Sequence, residues 1–182
     1  MQKLISLLRG VNMAGHNKIR MTDLTALYKK LGFNDVESYI QSGNVVFTNT
    51  GNLSVAVVGG NIKKTILKEF KYEIPVMVRT PDEFRNIIWV NPFHKEKDFD
   101  ISKLAVIFLL EQPTALQIDK VNDVDYPPDK FMISGREIFI YCPNGFGRTK
   151  LHTNFFESKM KVVGTARNWK TINTLLEIAE KI

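Results

Sequence analysis

Apolar positions near the start of the chain follow first the period of a strand and then that of a helix. Residues 4–8 are apolar except for one serine, and Gly10 closes the run, which predicts a buried strand. A helix is predicted at about 23–31, because its apolar residues share one face. Thr22 is the expected cap of this helix, and Gly32 its expected end.

The next 50 residues predict a hairpin, a second helix and another strand. Residues 36–41 and 44–48 read as two strands joined tightly at Ser42-Gly43. A helix ending near Phe70 has an apolar face and a lysine-rich face, and residues 74–79 supply a further strand. The order strand, helix, strand, strand, helix, strand is the split βαβ pattern of ferredoxin-like domains.

A similar order recurs in the second half of the chain. The elements predicted there are a strand at 103–110, a short helix at 114–118, strands at 131–134 and 137–141, and helices at about 150–161 and 170–181. The two hairpin turns are about 93 residues apart. We therefore predict an α+β fold of two ferredoxin-like halves related by internal duplication, although the halves differ in sequence and coincidence is the alternative. The expected domains are 1–80 as the first half, 81–100 as a helical connector, and 101–182 as the second half with a C-terminal helix.

Three predicted helices begin beside pairs of cations, whereas the connector helix does not. The pairs are Lys18 and Arg20, Arg148 and Lys150, and Arg167 and Lys170. Each cation costs about 0.3–1 kcal/mol there, because a helix start is the positive end of the helix dipole. The connector helix instead starts with a cap and two acids, at residues 80–83. This contrast predicts that Lys18, Arg148 and Arg167 surround one anion, or that carboxylates neutralise them.

Composition agrees with a folded, basic protein. The 182 residues are 44% hydrophobic and carry a formal net charge of +6. The hydrophobic content is ordinary for a globular protein and argues against disorder. The positive excess lies towards the two ends, since residues 1–50 hold six cations and three anions, and residues 146–182 hold seven and three. A basic surface favours phosphorylated or polyanionic partners.

Neither a disulfide nor a membrane segment is expected. Cys142 is the single cysteine, so the chain can form no internal disulfide. The longest apolar run, residues 104–110, is about a third of the length that a transmembrane helix needs. The first residues also lack the apolar run and cleavage site of a signal peptide. We expect a cytoplasmic protein without a membrane partner, and the sequence predicts no oligomeric state.

Polar residues concentrate in the turns that lead from strands into helices. Such turns can present backbone N–H groups and bidentate side chains to a phosphate or a carboxylate, although asparagine and glycine also serve ordinary turns. The candidate ligand-binding residues are Arg9, Asn12, Asn17, Lys18, Gln41, Asn44, Asn144, Arg148, Lys150, Arg167 and Asn168.

No motif in the sequence identifies a reaction. The glycine-rich segments match neither the Walker A motif nor GxGxxG, and the three histidines and Cys142 lack the spacing of metal ligands. Neither a cofactor nor a metal is expected. His16, in an asparagine-rich turn, is the best catalytic candidate among the histidines.

Several longer motifs point to a known family. They are Leu7-Leu8-Arg9-Gly10-Val11-Asn12, Asn17-Lys18-Ile19, residues 39–47, residues 144–150 with Asn154-Phe155-Phe156, and Thr165-Ala166-Arg167-Asn168-Trp169. Together these motifs resemble the bacterial domain-of-unknown-function 1697 family. The resemblance implies a two-part α+β protein with ferredoxin-like repeats, and it implies no activity. His16 departs from the family's turn, which weakens its candidacy as a catalytic residue.

Three classes of function follow from these features. The leading hypothesis is a binding module for a phosphate-bearing ligand, in a groove between the halves, with a small phosphorylated metabolite and a nucleic acid ranked equally. The second is a small metal-independent enzyme on a phosphorylated or carboxylated substrate, using Arg148 and Arg167 for electrostatic stabilisation and His16 as acid or base. The third is a structural or interaction protein whose cations pair with acids such as Asp35, Glu37 or Glu157.

Overall fold

The computed structural model describes residues 1–13, 15–96 and 98–181. These residues form two units. The first unit comprises Met1–Asn86 together with Asn173–Ile182, and the second comprises Ile87–Ile172.

The first unit contains one antiparallel sheet of four strands. Its elements in chain order are β1 (Gln2–Leu8), α1 (Met21–Lys30), β2 (Asn34–Tyr39), β3 (Asn44–Asn49), α2 (Val55–Phe70), β4 (Val76–Arg79) and the start of α3 (Pro81–Trp89). The strand order is β2-β3-β1-β4. In the register of the central strand, Leu4 pairs with Phe47 of β3, and Ile5 pairs with Arg79 of β4.

Helices α1 and α2 pack on one face of this sheet. Leu4 of β1 belongs to the same buried cluster as Leu24 of α1 and Ile62 of α2. Ile5 and Leu7, which point to the other face because side chains alternate along a strand, are also fully buried. Burial on both faces therefore explains why β1 is apolar at consecutive positions and does not alternate.

Helix α2 continues without a break through the glycine pair at residues 59 and 60. Ser54 caps the helix, since its Oγ accepts the backbone N–H of Val57 at 3.4 Å. A Cβ added at Gly59 would lie 3.4 Å from Val78 Cγ2, which is tight. Glycine at this position thus lets α2 approach strand β4 closely.

The second unit repeats the arrangement with different helix lengths. Its elements are the end of α3, β5 (Leu104–Leu109), α4 (Ala115–Ile118), β6 (Lys130–Ser134), β7 (Glu137–Tyr141), α5 (Thr153–Met160), β8 (Gly164–Asn168) and the start of α6 (Trp169–Lys181). The strand order is β6-β7-β5-β8, and all neighbouring strands are antiparallel. One buried cluster joins Ile107 and Ile138 of the sheet with Phe156 and Met160 of α5.

The predicted α+β class with two similar halves is confirmed. The described residues form two four-stranded antiparallel sheets and six α-helices, in the same order of elements in each half. An origin by duplication stays a prediction.

Two helix starts and one strand differ from the sequence prediction. Helix α1 begins at Met21, so Thr22 lies inside its first turn and the predicted cap is wrong. Helix α5 begins at Thr153 and not near residue 150, because the side chain of His152 provides the cap. Strand β8 was not predicted, since the polar residues of this segment do not show an apolar alternation.

No helix within the described ranges is both long and apolar enough to cross a membrane.

Candidate functional site

The turn that follows β1 is held by the side chain of Asn12. Its Nδ2 donates to the carbonyl oxygens of Ile19 at 2.9 Å and Gln41 at 2.8 Å, and its Oδ1 accepts the backbone N–H of Ile19 at 2.9 Å. Asn12 has a φ of 55°, in the left-handed region that asparagine tolerates better than most residues. This one side chain ties the segment before α1 to the hairpin between β2 and β3.

A second asparagine closes the same turn. Asn17 Nδ2 donates to the carbonyl oxygen of Gly10 at 3.1 Å, and the backbone N–H of Asn12 donates to the carbonyl oxygen of Asn17 at 3.2 Å. The φ angles of Asn17 and Gly10 are 46° and 70°. Both asparagines therefore serve the fold of the turn, and a direct contact of Asn17 with a ligand stays a prediction.

The β2–β3 hairpin brings Gln41 beside this turn. Its loop, residues 40–43, ends at the buried Gly43, which has a φ of 73°. A Cβ at Gly43 would lie 2.8 Å from Leu8 Cβ, so only glycine allows the hairpin to pack directly on β1. The Gln41 carbonyl is held by Asn12, while the Gln41 side chain is exposed.

The base of the hairpin is fixed by Asn44. Its Nδ2 donates to the carbonyl oxygen of Tyr39 at 3.1 Å and to Ser42 Oγ at 2.9 Å. Asn44 is fully buried and stabilises the hairpin, and its predicted contact with a ligand stays a prediction. Arg9, another predicted residue, is half-buried, and its backbone N–H donates to the carbonyl oxygen of Pro75 at 3.0 Å.

Helix α1 begins without a side-chain cap. The N-cap position is Arg20, with φ −67° and ψ 137°, and its side chain makes no capping bond. The first intrahelical bonds run from the N–H groups of Asp23 and Leu24 to the Arg20 carbonyl oxygen, at 3.1 and 3.0 Å. The N–H groups at the start of an uncapped helix carry partial positive charge and are available to an anion.

An open cleft of about 550 Å³ lies at this helix start. Its lining residues are Asn12, Gly15, Lys18, Ile19, Arg20, Asp23, Gln41 and Phe70. Three of the predicted ligand residues, Asn12, Lys18 and Gln41, are therefore brought together in one place. Buried Ile19 anchors the wall that carries the two cations.

The charged groups of the cleft are not neutralised by one another. In the part of the chain that the structure describes, Lys18 and Arg20 form no ion pair, and the Gln41 side chain makes no hydrogen bond. Asp23 has one contact, a long hydrogen bond of 3.5 Å from the hydroxyl of Thr22. The cleft thus offers two unpaired cations, one carboxylate and one free amide.

The glycine-rich loop of the second unit, residues 142–151, carries three more of the candidate ligand residues. Asn144 and Arg148 are exposed, and the backbone N–H of Gly145 donates to the carbonyl oxygen of Cys142 at 2.8 Å. Lys150 Nζ lies 5.0 Å from the centroid of the Tyr126 ring, a cation–π contact. Roles for Asn144, Arg148 and Lys150 in ligand binding stay predictions.

The cations of this loop are farther from a helix start than the sequence indicated. His152 Nδ1 accepts the backbone N–H of Phe155 at 3.1 Å and caps α5. Thr149, which directly precedes the predicted helix start near residue 150, accepts the backbone N–H of Leu151 at 3.0 Å through its Oγ1. Arg148 therefore precedes the helix by five residues, which removes the supposed conflict with its dipole.

Arg167 lies on strand β8 and is buried, with 8% of its surface exposed. Its Nη1 donates to Thr165 Oγ1 and to the Ala166 carbonyl oxygen, both at 2.7 Å. Burial lowers the pKa of Arg167 to about 10, so the side chain is still charged at neutral pH. A ligand role for this enclosed side chain stays a prediction. Asn168 Oδ1 accepts the backbone N–H of Thr171 at 2.8 Å and so caps α6.

The equivalent strand of the first unit also carries a buried arginine near its end. Arg79, the last residue of β4, is 1% exposed and pairs in register with Ile5, as Arg167 pairs with Val106. Arg79 Nη1 donates to the Val78 carbonyl oxygen at 3.1 Å. Sequence reasoning missed Arg79, because an arginine at a strand end is normally solvated.

A smaller cavity occupies the equivalent end of the second unit's sheet. Its volume is about 160 Å³, and its lining residues are Leu110, Glu111, Gln112, Gln117, Lys161, Val162 and Val163. It lies beside the ends of β5 and α5, as the cleft of the first unit lies beside the ends of β1 and α2. Its lining is less cationic.

Arg20, Asp23 and Phe70 belong to the cleft but were absent from the sequence-derived set. The sequence pattern placed the helix start two residues too late. Asp23 lies in the first turn of α1, where an acid is common, so its position in the sequence did not single it out. Phe70 ends α2 and is distant in sequence, and only the packing of α2 brings it to the cleft.

His16, Asp35 and Glu157 are not among the residues that line the cleft. His16 is exposed, and its backbone N–H donates to the Met13 carbonyl oxygen at 2.8 Å. Asp35 accepts the hydroxyl of Thr48 at 2.8 Å, and Glu157 accepts the backbone N–H of Gly164 at 2.9 Å. Across the described residues, no group of three His, Cys, Asp or Glu side chains has an arrangement that fits a metal ion.

Comparison with known proteins gives a family and a fold. A family model described as "Protein of unknown function (DUF1697)" matches residues 1–139, which is more than half of the chain. A solved structure, of the conserved bacterial protein SP0830 from Streptococcus pneumoniae, has a TM-score of 0.79 at 21% identity and covers 98% of both chains. At this identity the likeness shows the fold. No curated protein matches the chain.

Proposed function

We propose that this chain, which belongs to the DUF1697 family of proteins of unknown function, binds a phosphate-bearing ligand in the cleft of its first unit. One observation carries the proposal. The cleft of about 550 Å³ is lined by Lys18 and Arg20, beside the uncapped start of α1. Both cations are exposed, and neither forms an ion pair with a residue that the structure describes.

The two cations supply the charge that a phosphate needs. Arg20 can form two parallel hydrogen bonds to phosphate oxygens, and Lys18 adds a flexible point charge. An ion pair within the protein would have to be broken before either could bind a ligand, and neither cation has one with any described residue. The N–H groups of the first turn of α1 add donors of the same polarity.

The geometry around the cations is held before a ligand arrives. The Asn12 side chain bonds both to Ile19, which lies between the two cations in sequence, and to Gln41 on the hairpin. Less conformational freedom is then lost on binding, which raises affinity.

A binding experiment on the full chain tests the proposal. Isothermal titration calorimetry with inorganic phosphate, pyrophosphate, ribose 5-phosphate and adenosine 5′-monophosphate is performed at low ionic strength. At least one of these anions should bind, and Lys18→Ala or Arg20→Ala should weaken it by about 10-fold each, as expected for loss of a charged hydrogen bond.

Lys29→Ala is the matched control, because Lys29 is an exposed lysine in the last turn of the same helix. It removes the same charge at a distance from the cleft and should leave binding within about twofold. Equal weakening by Lys18→Ala and Lys29→Ala would mean that binding follows net charge alone, and the proposal would be wrong.

A further inference from the structure

The Asp23 carboxylate lies in the first turn of α1, where it complements the helix dipole, and it also gives the cleft a negative group. It lines the same cleft as Lys18 and Arg20, is exposed, and pairs with neither cation. A carboxylate facing a bound phosphate repels it. A ligand that also carries hydroxyl groups reverses the sign of this effect, because a carboxylate accepts hydrogen bonds strongly.

The remaining lining groups agree with a ligand that is larger than a phosphate ion. The Gln41 side chain is exposed and makes no hydrogen bond to any residue of the described ranges 1–13, 15–96 and 98–181, so it offers both donors and an acceptor. The cleft volume of about 550 Å³ lies within the range of small-molecule sites, roughly 300–1,000 Å³, and is much larger than one phosphate group requires.

From the grouping of Lys18, Arg20, Asp23 and Gln41 around one cleft, we infer that the ligand is a phosphate monoester of a polyhydroxylated sugar. The phosphate binds at Lys18 and Arg20, and the sugar hydroxyls donate to Asp23. Gln41 bonds a further hydroxyl or ring substituent. This inference rests on the proposed function and narrows it, since a nucleic acid backbone presents phosphodiesters and extends beyond a cleft of this size.

Asp23→Ala separates the two roles that the carboxylate has in this scheme. In calorimetric titrations of the full chain, this variant should bind ribose 5-phosphate about 5- to 10-fold more weakly, because the hydroxyls lose their acceptor. The same variant should bind inorganic phosphate as well as the native chain does, or better, because a repulsive charge is gone. Glu37→Ala, which removes an exposed carboxylate outside the cleft, should change neither affinity by more than about twofold.

The outcomes test two claims separately: that the ligand is a sugar phosphate, and that the cleft binds a phosphate-bearing ligand at all. If Asp23→Ala tightens both ligands, Asp23 only repels anions, so the inference is wrong while phosphate binding stands. If the native chain binds inorganic phosphate but not ribose 5-phosphate, the inference is likewise wrong. If none of the anions binds to the native chain, both ideas fail. Tighter binding of adenosine 5′-monophosphate than of ribose 5-phosphate would support the inference and assign the sugar to a nucleotide; the reverse would assign it to a free sugar phosphate.

Discussion

The first helix of each half starts at the same place in the fold, but only one of the two has a side-chain cap at its N-terminus. Helix α4 of the second unit has a complete capping box, in which Thr114 Oγ1 accepts the backbone N–H of Gln117 at 3.3 Å and Gln117 Oε1 accepts that of Thr114 at 2.9 Å. Helix α1 of the first unit has Arg20 at the cap and no side-chain bond. The cavities beside the two starts measure about 160 and 550 Å³.

This difference shows that the topology does not demand an open helix start. A cap contributes about 0.5–2 kcal/mol, so the second unit gains stability that the first unit forgoes. The first unit has a cationic cleft where the second unit has bonded side chains. A stabilising interaction that is absent from one of two equivalent positions is expected where a ligand supplies it instead.

The largest expected effect comes from the glycine in the hairpin of each unit, Gly43 in the first and Gly135 in the second. Only Gly43 packs tightly against a neighbouring strand, and its hairpin carries Gln41 of the cleft. Gly43→Ala should lower the free energy of unfolding by about 2–5 kcal/mol, since it adds a left-handed alanine and a Cβ that meets Leu8 at 2.8 Å. Gly135→Ala, in the equivalent hairpin, should cost only about 1–2 kcal/mol, because its Cβ would meet nothing closer than 3.9 Å. Urea denaturation measures both. Equal losses would show that the hairpin of the first unit does not pack on β1.

The next effect concerns the three hydrogen bonds of the Asn12 side chain to Ile19 and Gln41, here called the Asn12 clamp. The short described loop before α4 of the second unit has no such side-chain bonds to a hairpin. Asn12→Gly keeps the positive φ but removes the bonds to Ile19 and Gln41. Two of these bonds are partly buried, so the unfolding free energy should fall by about 1–3 kcal/mol. Phosphate binding should weaken as well, because the side-chain bonds that hold Ile19 and Gln41 on the two sides of the cleft are removed.

Asn122→Ala is the control for the Asn12 variant. Asn122 bonds the exposed Asp119 at 2.9 Å on the surface of the second unit, so its loss should change stability by less than about 0.5 kcal/mol. Unaltered stability in Asn12→Gly, with normal phosphate affinity, would contradict the role assigned to the clamp.

The sequence predicted those features whose signals are local. The start of α3 is an example, because Thr80 and Glu83 bond each other's backbone N–H groups, at 3.2 and 2.8 Å, as their spacing indicates. Strand β8 was missed because its alternation is present but polar, with Thr165 and Arg167 buried and Ala166 exposed. Hydrophobicity cannot reveal a strand whose buried residues are polar.

The cleft was predictable only in part, because local sequence signals marked some of its residues and not others. Lys18 and Gln41 stood out as polar residues in turns, and the structure brings both to the cleft. Asp23 and Phe70 could not be found, since one looks like an ordinary first-turn acid and the other reaches the cleft through tertiary packing. His152 was overlooked as a cap because histidine is not among the preferred N-cap residues.

Exchanging the two kinds of helix start tests the central comparison directly. Thr114→Ala should lower the free energy of unfolding by about 1 kcal/mol, because it removes the cap of α4. Arg20→Ser should raise it by about 1 kcal/mol, since the φ and ψ of Arg20 already suit a cap. The same Arg20→Ser variant should bind phosphate more weakly, and this exchange of stability for binding is the signature of a functional position. A variant that gains no stability would show that the start of α1 is already satisfied.

The smallest effect is expected where the two halves agree. Helices α2 and α5 both end at a lysine with left-handed backbone, Lys71 with φ 62° and Lys161 with φ 55°. Glycine is the usual residue at such a helix end, so Lys161→Gly should raise the free energy of unfolding by about 0.5–1 kcal/mol. Lys71→Gly should gain less, because Lys71 Nζ donates to the Lys68 carbonyl oxygen at 2.9 Å and that bond is lost. Urea denaturation of both variants at one salt concentration measures the difference. A larger gain for Lys71→Gly would mean that this surface bond contributes nothing, and that the strain at the end of α2 exceeds that at the end of α5.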